Sequence, residues 1–156
     1  MYTMFTQIIS EDSIMPVKSA LQFVGYDVTK LRFEKNSLFV GDGEVQITPK
    51  FKKEVNELDK NSISVTLGVL IENTDSNSTP FNLCVELTGH FNAIFSGEES
   101  QAFREQLINQ NTVAILFPFL RSTVASLTLA ANISPVILPI INLAGAFEKP
   151  DRNSVE

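Results

Sequence analysis

The stretch that most constrains this chain is residues 113–147, VAILFPFLRSTVASLTLAANISPVILPIINLAGAF. It is the most apolar region, yet it contains Pro118, Pro135 and Pro139 and, before the tail, a single charge, Arg121. A core helix does not need those prolines, which each remove a backbone donor. A membrane span would not place an arginine near its centre among Ser122, Thr123, Ser126 and Thr128. Val113, Leu116, Phe117, Leu120, Val124 and Leu127 recur at three and four, which predicts a helix. Pro118 either kinks that helix or lies near its start. Asn132 is the expected C-cap, and VILPIINL after Pro135 is expected to lie extended.

Upstream the period is two. Phe23 and Tyr26-Asp27-Val28 lead to Leu31 and Phe33 with a shift of apolar phase, which predicts a β-bulge near Thr29-Lys30. Asn36-Ser37 and Gly41-Asp42-Gly43 are turn chemistry. Val45, Ile47, Phe51 and Val55 predict a second strand, which Pro49 assigns to an edge or a bend. The third alternates cleanly through Ile63, Val65, Leu67, Val69 and Ile71, and the fourth from Phe81 to Phe95. Four sequential strands with short polar connections read as an antiparallel meander with one apolar face. Ser96 followed by Glu99 is a capping-box signature for the helical region, which Asn109-Gln110-Asn111 weakens. The fold class is therefore α+β: a four-stranded antiparallel meander, a long helix, and a proline-containing crossover loop.

At 156 residues the chain is one domain. A formal charge of −6 argues against nucleic acid or anionic lipid as a main partner. One cysteine, Cys84, excludes an intrachain disulfide and fits a reducing compartment. The opening MYTMFTQIISEDSIMP has no basic n-region, so no secretory signal and a cytoplasmic location are expected.

Catalytic chemistry finds few candidates. His90 is the single histidine and shares a strand face with Cys84, but six residues of strand hold them roughly 20 Å apart. His90 then reads as a solvated or partly packed strand residue, and Cys84 as a half-buried small hydrophobe. Gly41-Asp42-Gly43 lacks the lysine and helix of a phosphate loop. No enzyme, metal or cofactor is expected. What remains is surplus apolar surface, which serves either a subunit interface or a groove for apolar segments.

The run Ile115-Leu116-Phe117-Pro118-Phe119-Leu120-Arg121 resembles the stretch of the SecB family in which Leu-Phe-Pro and an aromatic are followed closely by arginine. Ser126-Leu127, then Pro135, Leu138, Pro139, Ile141 and Asn142, are similar to the family's exit from its long helix and its crossover loop. Leu83-Cys84, Gly89, Phe91 and Ile94 resemble its fourth strand. The resemblance covers roughly residues 81–147 by motif and the rest by pattern. It divides the chain into an N-terminal arm (1–20), a SecB-like domain (21–147) and a flexible tail (148–156).

The resemblance implies a homotetramer, a dimer of dimers, that holds unfolded preproteins or other client polypeptides in hydrophobic grooves without ATP, and passes them to SecA for export. It implies no enzymatic chemistry, no nucleic acid and no membrane insertion. Phe91, Phe95, Phe117, Phe119, Leu138, Ile140, Ile141 and Phe147 are the expected lining or flank of the groove. The chain departs from the family where an acidic Leu-Gly-Glu feature meets SecA: Leu67-Gly68 is followed by Val69, and Glu72 lies further on. An adaptor dedicated to one partner, such as an antitoxin, is the alternative. A carrier holding a lipid or small molecule in an apolar cavity is a further rival.

Overall fold

The computed structural model describes residues 20–140 together with Leu143 and Phe147. The expected arm, apart from Ala20, the expected tail, and Ile141 lie outside the described residues. The elements run β1 (Leu21–Lys35), β2 (Lys50–Glu57), β3 (Ser62–Ile71), β4 (Phe81–Ala93), α1 (Gln101–Gln106), a π turn (Leu107–Asn111) and α2 (Thr112–Ala130). All pairings are antiparallel, in the order β1-β4-β3-β2. The α+β class, the four-stranded antiparallel sheet and the helix that follows it are as the sequence predicts.

The strand order differs from a sequential meander at one place. β2, β3 and β4 follow one another, whereas β1 lies beside β4, so residues 36–49 return across the sheet in a Greek-key connection. Asn36 pins that return to the β3–β4 loop, its N–H donating to the Pro80 carbonyl and its side-chain amide to the Thr79 carbonyl, each at 2.9 Å. β2 begins at Lys50 rather than at Val45, because Pro49 has no N–H for the ladder.

β1 carries two register shifts. One, between Val28 and Lys30, leaves Thr29 as the extra residue, where the phase change predicts it; the other, between Phe23 and Gly25, does the same to Val24. Together they keep Phe23, Tyr26, Val28, Leu31 and Phe33 on one face, opposite Phe91, Gly89, Leu87, Val85 and Leu83 of β4.

The core lies between that face and α2. Val65, Leu67, Val85 and Leu87 meet Leu116, Leu120 and Val124, all 0 % exposed. Each such side chain contributes about 1.5–3 kcal/mol on burial. Gly89 allows the close approach, since a Cβ there would stand 2.5 Å from a Leu116 methyl.

α1 starts later than the Ser96–Glu99 signature predicts: Ser100 is the N-cap, its hydroxyl accepting from the Phe103 N–H at 3.2 Å. Ser96 and Glu99 do bond to each other, but in the turn before the helix. Asn109-Gln110-Asn111, which weakens the helical pattern, falls in the π turn. α2 then runs through Pro118, which is exposed. It ends with Asn132 in the left-handed region at φ 58°. The Asn132 N–H donates to Leu129 O at 3.0 Å and the Ile133 N–H to Thr128 O at 3.3 Å, a Schellman closure.

By length and composition Gln101–Ala130 would pass for a membrane span, with a mean hydropathy of 1.7 in its best window. The burial of Leu116, Leu120 and Val124 against the sheet accounts for that apolarity as a core helix face.

Candidate client-binding flank

The sides of α2 are treated differently, and helix geometry explains how. At 100° per residue, Phe117, Arg121 and Thr128 project along one side, and Phe119 points the opposite way. Phe117 meets Phe51 of β2 edge-on, with ring centroids 6.2 Å apart. Phe119 stacks on Tyr26 and Phe23 of β1, at 4.5 and 5.8 Å.

The β2 side is covered by the crossover segment that follows α2. Arg121 Nε donates to the Leu138 carbonyl at 2.8 Å. Thr128 Oγ1, fully buried, accepts from the Val136 N–H at 2.9 Å and donates back to the Val124 carbonyl at 2.9 Å. The arginine that a membrane span would not tolerate is thus an anchor for extended backbone. It presents Leu138 to the core, where that side chain is 1 % exposed. On the same flank Lys53 donates to Asn109 Oδ1 at 2.8 Å and lies 5.5 Å from the centre of the Phe147 ring. Burial pushes the Lys53 ammonium below the usual lysine range.

Among the described residues the β1 side is open. Phe23, Tyr26, Val28 and Leu31 point toward the helix layer yet remain 36, 38, 46 and 55 % exposed. Phe33 closes the far end against Phe81, with rings 5.3 Å apart. The result is an apolar shelf along one edge strand, closed at one end by the Phe23–Phe119–Tyr26 stack. Among the described residues β1 is also an edge of the sheet, where extended backbone can add. Among the described residues no three His, Cys, Asp or Glu side chains converge to hold a metal.

Of the eight residues expected to line a groove, Ile141 lies outside the described residues and the other seven separate accordingly. Phe119 stands on the open flank and Ile140 is 83 % exposed. Phe91 and Leu138 are inside the core, and Phe117 is at its β2 side. Phe95 is partly buried under the Arg104 guanidinium at 4.4 Å, and Phe147 is partly buried near Lys53. Sequence reasoning places Phe23, Tyr26, Val28 and Leu31 on a strand but does not name them among the groove residues. Their signal was the double phase shift along β1, of which the pattern gave one half.

His90 is not simply solvated: its Nε2 lies 2.9 Å from Asp27 Oδ2 on the polar face of the sheet. Cys84, on that face too, is half-buried as expected.

Residues 27–154 match the family model described as preprotein translocase subunit SecB. The chain belongs to the SecB family. Over 136 residues it is 37 % identical to the uncharacterized protein MJ0357 of Methanocaldococcus jannaschii, covering 83 % of this chain and 84 % of that one. It is 32 % identical to the protein-export protein SecB of Anaplasma phagocytophilum over 60 residues, 36 % of this chain and 38 % of the relative. In fold it is similar to the SecB-like chaperone Rv1957 of Mycobacterium tuberculosis, solved in complex with a ChAD peptide from the HigA1 antitoxin. That likeness has a TM-score of 0.64 at 13 % identity, over 78 % of this chain and 90 % of the other.

Proposed function

We propose that this SecB-family protein is an ATP-independent holdase that binds unfolded or precursor polypeptides. Apolar client segments bury against Phe119, Tyr26, Phe23, Val28 and Leu31, and extended backbone adds along the β1 edge. The observation that carries this reading is the open flank itself: a strand with four large apolar residues facing the helix layer, of which Phe23 and Tyr26 meet Phe119 while Val28 and Leu31 stay 46 and 55 % exposed. A surface of that kind needs either a partner chain or cargo. Holding clients there opposes their folding by mass action, with no need of a nucleotide.

The proposed working form is a cytoplasmic homotetramer, a dimer of dimers, that delivers precursors to SecA. The family description, a preprotein translocase subunit, supports export. A second reading is an adaptor chaperone serving one partner, such as an antitoxin, without SecA. Two observations favour it: the structural neighbour holds an antitoxin peptide, and this chain has Val69 after Leu67-Gly68 in place of an acidic residue.

Suppression of aggregation tests the holdase reading. A chemically unfolded model protein diluted into an excess of this protein without ATP is expected to stay soluble. Equal aggregation with and without the protein would contradict the general holdase and leave the dedicated adaptor.

A further inference from the structure

Among the described residues β2 is the second edge of the sheet. The Leu58 N–H donates to the Ser62 carbonyl at 2.9 Å, in register with the Glu57–Ile63 pair and the rest of the β2–β3 ladder. Antiparallel bonding alternates from pair to pair. Lys52, Glu54 and Asn56 therefore turn their N–H and C=O groups to β3, while Lys53, Val55 and Glu57 turn theirs away from it. Among the described residues nothing bonds to those outward groups. The crossover segment is tied to α2 through Arg121 and Thr128, and not to β2.

Lys53, Val55 and Glu57 also share the inner face of the strand, where Val55 packs against the core. Lys53 is half-buried there and donates to Asn109, but no carboxylate pairs with it among the described residues. Lys30, Lys50 and Lys52, on the outer face, each have one. Burial without an opposite charge is what pushes the Lys53 ammonium below the usual lysine range. Glu57 is exposed and, among the described residues, has no cation of its own. The two charges stand about 13 Å apart along the strand, too far to answer each other.

An inward-pointing lysine on an edge strand ordinarily prevents edge pairing. Here Val55 lies midway between the two unanswered charges. A second β2, turned about a two-fold axis through Val55, sets Lys53 opposite the partner's Glu57 and Glu57 opposite the partner's Lys53. Registers centred on Lys53 or on Glu57 set like charges face to face, so the charges admit the pairing centred on Val55 and oppose those neighbours.

We infer that β2 pairs in this register with β2 of a second copy of this chain, joining two four-stranded sheets into one. Facing Cα atoms then stand about 5.5 Å apart, and Lys53, Val55 and Glu57 of the two copies exchange about six backbone hydrogen bonds. The contact is isologous and closes on itself. It supplies one of the two interfaces that a dimer of dimers needs, and it leaves the β1 flank at the far edge of each sheet. It does not rest on the client reading of that flank.

Native mass spectrometry of the whole protein tests it, with no client present, so failure of the holdase reading leaves this test standing. The unmodified protein is expected to carry an even number of chains. Lys53→Glu and Glu57→Lys, each alone, are expected to halve that mass at low micromolar concentration. The double variant is expected to regain it. An equimolar mixture of the two single variants is expected to regain it as well, because one chain then carries two acids and the other two bases. If either single variant alters the melting curve, Lys53→Gln and Glu57→Gln replace the pair, each weakening association severalfold. A monomeric unmodified protein, unchanged mass in both single variants, or a loss that neither the double variant nor the mixture restores would overturn the inference. So would tighter association of Lys53→Gln, since the lysine would then only guard the edge.

Discussion

Arg121 Nε and the Leu138 carbonyl, 2.8 Å apart, join α2 to a backbone segment that leaves the helix and runs back beside it. Thr128, two turns further along the same helix side, holds Val136 in the same manner. These two side chains close the β2 flank of α2 and, among the described residues, leave Val28 and Leu31 on the β1 flank exposed. A hydrogen bond from a charged donor contributes about 1.5–3 kcal/mol. Arg121→Ala is therefore expected to lower unfolding free energy by about that amount in urea titrations, and to speed amide exchange at Val136. Unchanged exchange would mean that Thr128 and Leu138 hold the segment without help from Arg121.

Gly89→Ala is expected to be costly although alanine is small. The added methyl would meet Leu116 at 2.5 Å, and overpacking of this kind costs about 1–3 kcal/mol. Leu116→Val in the same chain should recover part of the loss, so the two changes are expected to be non-additive in a double-mutant cycle.

Much of this arrangement is legible in the sequence. The alternation of β3 and β4 and the three-and-four spacing of α2 follow directly from burial on one face. The crossing of β1 was hidden because Val45 and Ile47 continue the alternation of Phe51 and Val55, which makes the connection look short. Pro49 is what stops them joining the ladder. The open flank was obscured for a related reason. Phe91 and Phe117 are as aromatic as Phe119, and only their partners across the sheet decide which is core and which is surface.

The Ser96–Glu99 turn makes a prediction about pH. The Ser96 N–H, together with those of Glu99 and Gly97 and the Ser96 hydroxyl, holds the Glu99 carboxyl down at about 2. A depressed carboxyl favours the folded state above its unfolded pKa, near 4.5, and that contribution is lost as pH falls toward about 2. Carbon-13 titration of Glu99 should give a midpoint near the lower value. Ser96→Ala, which removes the hydroxyl donor but keeps the N–H, should raise it only partly. A midpoint near 4.5 in the unmodified protein would contradict the turn geometry.

Ile140, 83 % exposed at the end of the crossover segment, separates interface from groove. Ile140→Asp is expected to leave folding stability within about 0.5 kcal/mol, as for most surface changes. Native mass spectrometry and client affinity measured on the same sample then assign it: loss of the proposed tetramer marks a subunit contact, and loss of affinity with the native mass unchanged marks a client contact.

The most direct test of the proposed function is the affinity of a reduced, unfolded polypeptide for the protein and for its Phe119→Asp and Tyr26→Asp variants. The folded form of the same polypeptide is the control, and native mass is recorded alongside. Tight binding of the unfolded form alone, lost tenfold or more in both variants while the assembly stays intact, is the result predicted for a client-holding β1 flank. Full affinity in both variants, or indifference of the unmodified protein to unfolded and folded chains alike, would contradict it.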